Sequence, residues 1–113
     1  MSNDYPKKPE TTGEVRISEN VVRSIAGVSA KEIEGVADLA TVRTGLLRTE
    51  SPVTVQIVRD TVEITIRLVL QSGYRLTGVA EQVQQKIKEN VQSMTGVIVS
   101  KVHVIAADIV FED

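Results

Sequence analysis

The chain has no cysteine, no tryptophan, a single histidine and a single phenylalanine. Without cysteine there is no disulfide, no thiolate nucleophile and no Cys-ligated zinc or iron–sulfur site. One histidine excludes a multi-His metal centre. Tyr5, Tyr74 and Phe111 are the only aromatic residues, so there is little surface on which nucleic-acid bases stack. Charge of one sign is lacking as well: 13 Lys and Arg stand against 15 Asp and Glu, for a net charge of -2. That gives neither the basic field of a non-specific phosphate binder nor a polybasic membrane anchor. Unbroken apolar runs are short, Val104-Ile105-Ala106-Ala107 being one, whereas a spanning helix needs about 20 mostly apolar residues. The amino end is polar and holds no apolar segment of signal-peptide length. A cytoplasmic protein is expected, with any membrane association supplied by a partner.

What the sequence does have is aliphatic bulk. Val and Ile supply 29 residues and Leu and Phe a further 7, out of 113. A third of the chain is well above the roughly 20% below which a chain tends to stay disordered. The length suits one domain. Residues 1–12 are polar and contain Pro6 and Pro9, and are expected to form a flexible tail on a domain that runs over 13–113.

The periodicities predict a small α/β (α+β) domain of order β-α-(β)-β-β-α-β, a mixed sheet with two helices packed on one face. Val15 and Ile17 alternate with Glu14 and Arg16, which suggests a short strand. Ser18 is a candidate N-cap with Glu19 in the first turn. A helical period follows, with Val21, Val22, Ile25, Ala26, Val28 and Ile33 opposite a polar face, up to Gly35. Gly27, inside that helix, is expected to mark close packing. Residues 36–52 read as a short strand or irregular packed segment, broken by turn signals at Thr44-Gly45 and Ser51-Pro52. The clearest β signal is a hairpin: Val53, Val55 and Ile57, a turn at Arg59-Asp60-Thr61, then Val62, Ile64, Ile66, Leu68 and Leu70. Apolar positions 79, 80, 83, 87, 91 and 94 trace one stripe of a second helix, closed by Gly96. Its start is open between Ser72 and Thr77. The last segment, from Val97 to Phe111, alternates with slips after Val99 and near Asp108, which suggests bulges or two short strands.

No constellation for catalysis emerges. His103 is the sole imidazole, and Ser100 and Asp108 are its neighbours in sequence, yet nothing resembles a nucleophile elbow. Asp60 with Glu63, and Glu32 with Glu34, are carboxylate pairs without a supporting feature. The seven glycines form no phosphate-binding loop. No catalytic residue, metal ligand or cofactor is therefore assigned. Two surfaces remain as candidates. Leu46, Leu47, Val58 and Val69 are hydrophobic residues beyond the buried faces and form a candidate partner-binding patch. Arg43, Arg48, Arg59 and Arg67 form a candidate basic patch, which with the β/α order is the only support for a small RNA- or nucleic-acid-binding module.

Four segments, taken in order, resemble the alkaline shock protein family, cell-envelope and general-stress proteins of Gram-positive bacteria. They are Gly13-Glu14-Val15-Arg16-Ile17-Ser18-Glu19-Asn20-Val21-Val22 with Ile25-Ala26; Glu34-Gly35-Val36-Ala37; the hairpin 53–70 followed by Gly73; and Val79-Ala80 to Gln84 with Met94-Thr95-Gly96-Val97 and Val102-His103-Val104. The resemblance spans about 13–111. It implies a non-enzymatic cytoplasmic interaction or scaffold protein of envelope and alkaline-stress homeostasis. By the same resemblance its partners are a membrane-anchoring protein or acetyl-CoA carboxylase subunits, the latter linking it to fatty-acid synthesis, and it is a candidate homo-oligomer.

Overall fold

A computed structural model describes residues 16–44 and 48–111, with backbone only for 42–44 and 48–50. Among these the order is α1 (Glu19–Lys31), β1 (Val36–Leu39), β2 (Val42–Thr44), β3 (Arg48–Glu50), β4 (Val53–Val58), β5 (Thr61–Gln71), α2 (Leu76–Thr95) and β6 (Ile98–Val110).

β5 is the middle of the sheet. On one edge it pairs antiparallel with β4 along its first half and with β1 along its last residues. On the other edge it pairs parallel with β6 along its whole length. The sheet is therefore mixed, as expected. The β5–α2–β6 passage is the helical crossover that a parallel pair requires. β2 and β3 form a separate antiparallel ribbon.

The alternation in β5 decides which side is inside. Val62, Ile64, Ile66, Leu68 and Leu70 are buried, while every residue between them is only half-buried. Both helices cover that buried face. α1 contributes Val22, Ala26 and Ala30, and α2 contributes Val79, Val83, Ile87 and Val91. Each set recurs every four residues, so each helix presents one stripe.

Local chemistry fixes the helix ends. The Ser18 hydroxyl accepts the Val21 N–H at 3.2 Å, satisfying an otherwise orphaned donor of α1. Gly96, at φ 78°, closes α2 by donating its N–H to Gln92 O at 2.9 Å. α2 starts at Leu76 with Arg75 as an N-cap whose side chain does not bond to the helix end. The two helices are also joined by a polar contact. Ser29, 1% exposed, donates to Ile25 O at 2.6 Å and accepts from Asn90 Nδ2 at 2.8 Å. A buried hydroxyl so satisfied costs little and fixes how the helices lie against each other.

Several expectations need adjustment. Arg16 to Ser18 is not in a strand; Gly13 to Val15, and the tail 1–12, lie outside the described residues. The apolar alternation there serves a different end, since Ile17 packs against the core from the position before the N-cap. Gly35 does not end α1, which stops at Lys31; it turns the chain into β1 instead. Met94 is 70% exposed rather than part of the buried stripe. The last contact of α2 with the core is Val91, and one turn later the face carrying Met94 has moved toward α1. The hairpin turn is two residues, Arg59 and Asp60, and Thr61 already belongs to β5. Arg59 takes the left-handed conformation, φ 57°, where a glycine or asparagine is usual. The carboxyl-terminal segment is one strand with two bulges, at Ser100 and Ala107, where the register with β5 shifts. Gly27 packs as expected: a Cβ there would sit 3.2 Å from Leu39 Cδ1.

Gly35 has the tightest surroundings of the described glycines. Its φ is 102°, and a Cβ on it would lie 2.8 Å from Val79 Cγ2 and 3.0 Å from the Tyr74 ring. Its carbonyl meanwhile accepts from Gln71 N at 2.9 Å. Gly73, at φ 94°, has no atom within 4 Å of such a Cβ. Gly35→Ala should therefore combine backbone strain with overpacking and lower stability by about 3 kcal/mol, against about 1–2 kcal/mol for Gly73→Ala. Ile66→Ala, in the centre of the core, should cost about 2–5 kcal/mol. Urea unfolding followed by circular dichroism checks all three, and equal losses for the two glycines would refute the packing role of Gly35.

Candidate interaction surface

The polar candidates for chemistry lie on the face of the sheet away from the helices. On β5 this face carries Glu63, Thr65, Arg67 and Val69, and register places Lys101, His103, Ile105 and Asp108 of β6 beside them in turn. Val58 and Val69 both lie on this face but not together. Val58 is opposite Thr61 at the hairpin end, and eight strand residues on, about 26 Å away, Val69 sits between Asp38 and Asp108. Leu46 and Leu47 lie outside the described residues.

The arginines are divided in the same way. On the β2–β3 ribbon Arg43 is opposite Thr49 and Arg48 is opposite Thr44, one register step apart. Arg59 is in the hairpin turn, and Arg67 is about 20 Å further along β5. Arg67 stands in line with Glu63 on the same strand face, so the local field is mixed in sign.

His103 is exposed on this face, opposite Thr65. Neither neighbour in sequence is turned toward it for catalysis. Ser100 occupies a bulge and its hydroxyl donates to Val62 O at 3.2 Å. Asp108 is about 13 Å further along the strand, and its Oδ1 accepts the Ile109 N–H at 2.8 Å. The carboxylates at the end of α1 are similarly occupied with structure: Glu32 faces Lys86 at 3.8 Å and Glu34 accepts from the Tyr74 hydroxyl at 3.4 Å. Among the described residues no group of three or more His, Asp and Glu is arranged to hold a metal ion. No helix among them is long and apolar enough to cross a membrane.

The distinctive surface is elsewhere. Among the described residues β6 is paired on one side only, leaving its other edge open. Beside the first half of that edge runs a groove of about 500 Å³, walled by Glu81, Gln84, Gln85 and Lys88 of α2 and floored by 99–103 of β6. Gln84 Nε2 reaches across it to Val102 O at 3.0 Å. The second half of β6 has no such cover. From Ile105 to Phe111 every residue is exposed, including Ile109 and Val110 at 47% and Phe111 at 74%. A smaller, mostly apolar groove of about 280 Å³ lies between the helices, lined by Ile25, Val28, Asn90 and Met94 among others.

The open edge escaped sequence reasoning because strand order is a long-range property. One local signal did exist. Residues 104–107 and 109–111 are apolar on both strand faces, which an edge strand with one wet face does not need.

The fold and surface thus define a class: a two-layer α+β domain with helices on one sheet face and an unpartnered edge strand on its flank. The chain belongs to the alkaline shock protein family, described as having a cell envelope-related function, whose model matches residues 7–111. It is similar to the uncharacterized protein YqhY of Bacillus subtilis (strain 168), 27% identical over 107 residues, covering 88% of this chain and 79% of that one. It is also similar to the uncharacterized protein Spy1614 of Streptococcus pyogenes serotype M6, 26% identical over 106 residues, covering 86% and 88% of the two chains. Among solved structures, a substituted form of the MamM CTD aligns with 83% of this chain and 95% of its own at a TM-score of 0.48 and 12% identity.

The division of the arginines generates a prediction. A labelled single-stranded RNA titrated at about 50 mM salt, where phosphate contacts are strongest, should show no saturable binding. Saturable binding lost in Arg43→Glu/Arg48→Glu would instead assign the β2–β3 ribbon to nucleic acid.

Proposed function

We propose that this domain is a non-catalytic adaptor for the cell envelope that works by holding protein partners from the cytoplasmic side. The observation that carries the reading is the exposed apolar half of β6, 105–111, in a member of a family with a cell envelope-related function. Aliphatic and aromatic side chains that no described part of their own domain covers are the usual material of a contact surface. The placement of His103, Ser100 and Asp108 agrees with this, because each is used for strand geometry or left to solvent.

The partners follow from the family resemblance. A small membrane-anchoring protein would place the domain at the envelope without a spanning segment of its own. Acetyl-CoA carboxylase subunits would connect it to the supply of fatty acids for envelope lipids, as a modulator acting through protein contacts. Stress response and lipid regulation are then two outcomes of the same binding role.

A tagged pull-down from native cells, with and without nuclease and read by mass spectrometry, tests the proposal. Nuclease-resistant enrichment of a membrane protein or of carboxylase subunits is expected. Capture that disappears with nuclease, or enrichment of neither class, overturns it. Val69→Lys together with Leu47→Glu should reduce capture severalfold; unchanged capture removes those two residues from the contact surface.

A further inference from the structure

We propose that the open edge of β6 pairs with β6 of a second copy of this chain, antiparallel about a twofold axis at Val104, so that two sheets join into one. The proposal takes up the same apolar half of β6 that carries the proposed function and names a second copy of the chain as its occupant; it rests on that surface being a contact surface.

Three observations lead to a second copy. The first is the direction of the backbone groups. Val110 O accepts from Ser72 N on the β5 side, and alternate register positions follow it. Val102, Val104 and Ala106 therefore turn toward the open edge, which agrees with Val102 O being reached by Gln84. Those three positions are symmetric about Val104. In an antiparallel pair Val104 meets Val104 of the second copy and Val102 meets Ala106, giving three hydrogen-bonded pairs: about four backbone hydrogen bonds, and two more at Val102 O where the partner strand takes the place of Gln84. The next outward groups are already held: Val99 N by Gln92 Oε1 at 3.1 Å and Ile109 N by Asp108. The ladder is short and centred.

The second observation is charge. Lys101 and Asp108 are the only Lys, Arg, Asp or Glu in β6. Both lie on the outer sheet face, opposite Glu63 and Val69 of β5. With the bulge residue Ala107 set aside, each is three register positions from Val104. The twofold puts Lys101 of one copy opposite Asp108 of the other, twice. They fall at non-hydrogen-bonded positions of the new ladder, where side chains approach most closely. Any shift of register or axis separates them.

The third is shape. The half of β6 that its own α2 leaves uncovered would run beside the half of the second β6 that is flanked by the groove. Ala106 and Ile109, exposed in the single chain, would lie along the groove walled by Gln84, Gln85 and Lys88. Each copy thus supplies the strand that the other has room for, as an isologous interface demands. Edge strands are commonly protected by charge, bulges or short length. Here the bulges at Ser100 and Ala107 stand outside the central stretch and leave it straight.

The purified full-length chain tests this by sedimentation equilibrium. Wild type should show a concentration-dependent doubling of mass. Asp108→Lys, and separately Lys101→Glu, should weaken the dimer by about tenfold or more, and the double exchange should restore it. Circular dichroism melting confirms that each variant is folded; both side chains are exposed. A second measurement does not depend on charge. The chain has no cysteine, so His103→Cys/Ile105→Cys should form a disulfide between copies under mild oxidation, because these positions face each other across the twofold. A wild-type chain that stays monomeric into the millimolar range overturns the proposal. So does a dimer indifferent to both reversals, or one that yields no intermolecular disulfide, since it would use another surface. A partner peptide in place of the second copy would appear as a monomer here and as an edge-bound protein in the pull-down.

Discussion

The structure depends on the pairing of β5 along both of its edges while one of its faces is packed under two helices. Five aliphatic side chains of that strand, from Val62 to Leu70, are between 0% and 4% exposed. Among the described residues no other strand pairs with three neighbours. β4 and β1 share one of its edges, β6 takes the other, and α1 and α2 rest on the row between them. Burying a side chain of this kind contributes about 1.5–3 kcal/mol each, so a strand that loses its alternation would lose the core and the sheet together.

Given β5, the remaining parts are constrained in turn. The turn after α1 must bring β1 to the end of β5 and also make room for the beginning of α2. Gly35 meets both demands with a positive φ and with no side chain between the Tyr74 ring and Val79. The Ser29–Asn90 bond then sets the two helices against each other. The Ser29 hydroxyl both donates and accepts, which is how a small core tolerates it.

The functional consequence comes from what α2 does not cover. It returns from the end of β5 to the start of β6, reaching β6 through Gln92 and Gln84 at Val99 and Val102. Past Val104 the strand continues beside β5 with both of its faces in solvent. An open edge, a flanking groove and an uncovered apolar strand end therefore occur on one flank of the molecule. These features sit together in a member of a family whose described role concerns the cell envelope.

Local periodicity was enough to read the hairpin, the stripe of α2, the Ser18 cap and the two slips in the last strand. Alternation by two, recurrence by about 3.6 and capping chemistry all act within a few residues. Val15 and Ile17 show the limit of such reasoning: alternation of this length fits a strand, yet from Arg16 onward no strand forms, and Ile17 serves the core from outside any sheet. Met94 shows it too, as a residue on the apolar stripe that the helix carries past the end of the core. Other relations became visible in the folded chain alone. β6 is parallel to β5 and lies at an edge, Val58 and Val69 are far apart, and the arginines divide between a ribbon, a turn and a strand centre. Each of these relates residues distant in sequence. They are fixed by which strand edges find partners and by where a helix ends relative to the strand beneath it, and no short window of sequence contains either fact.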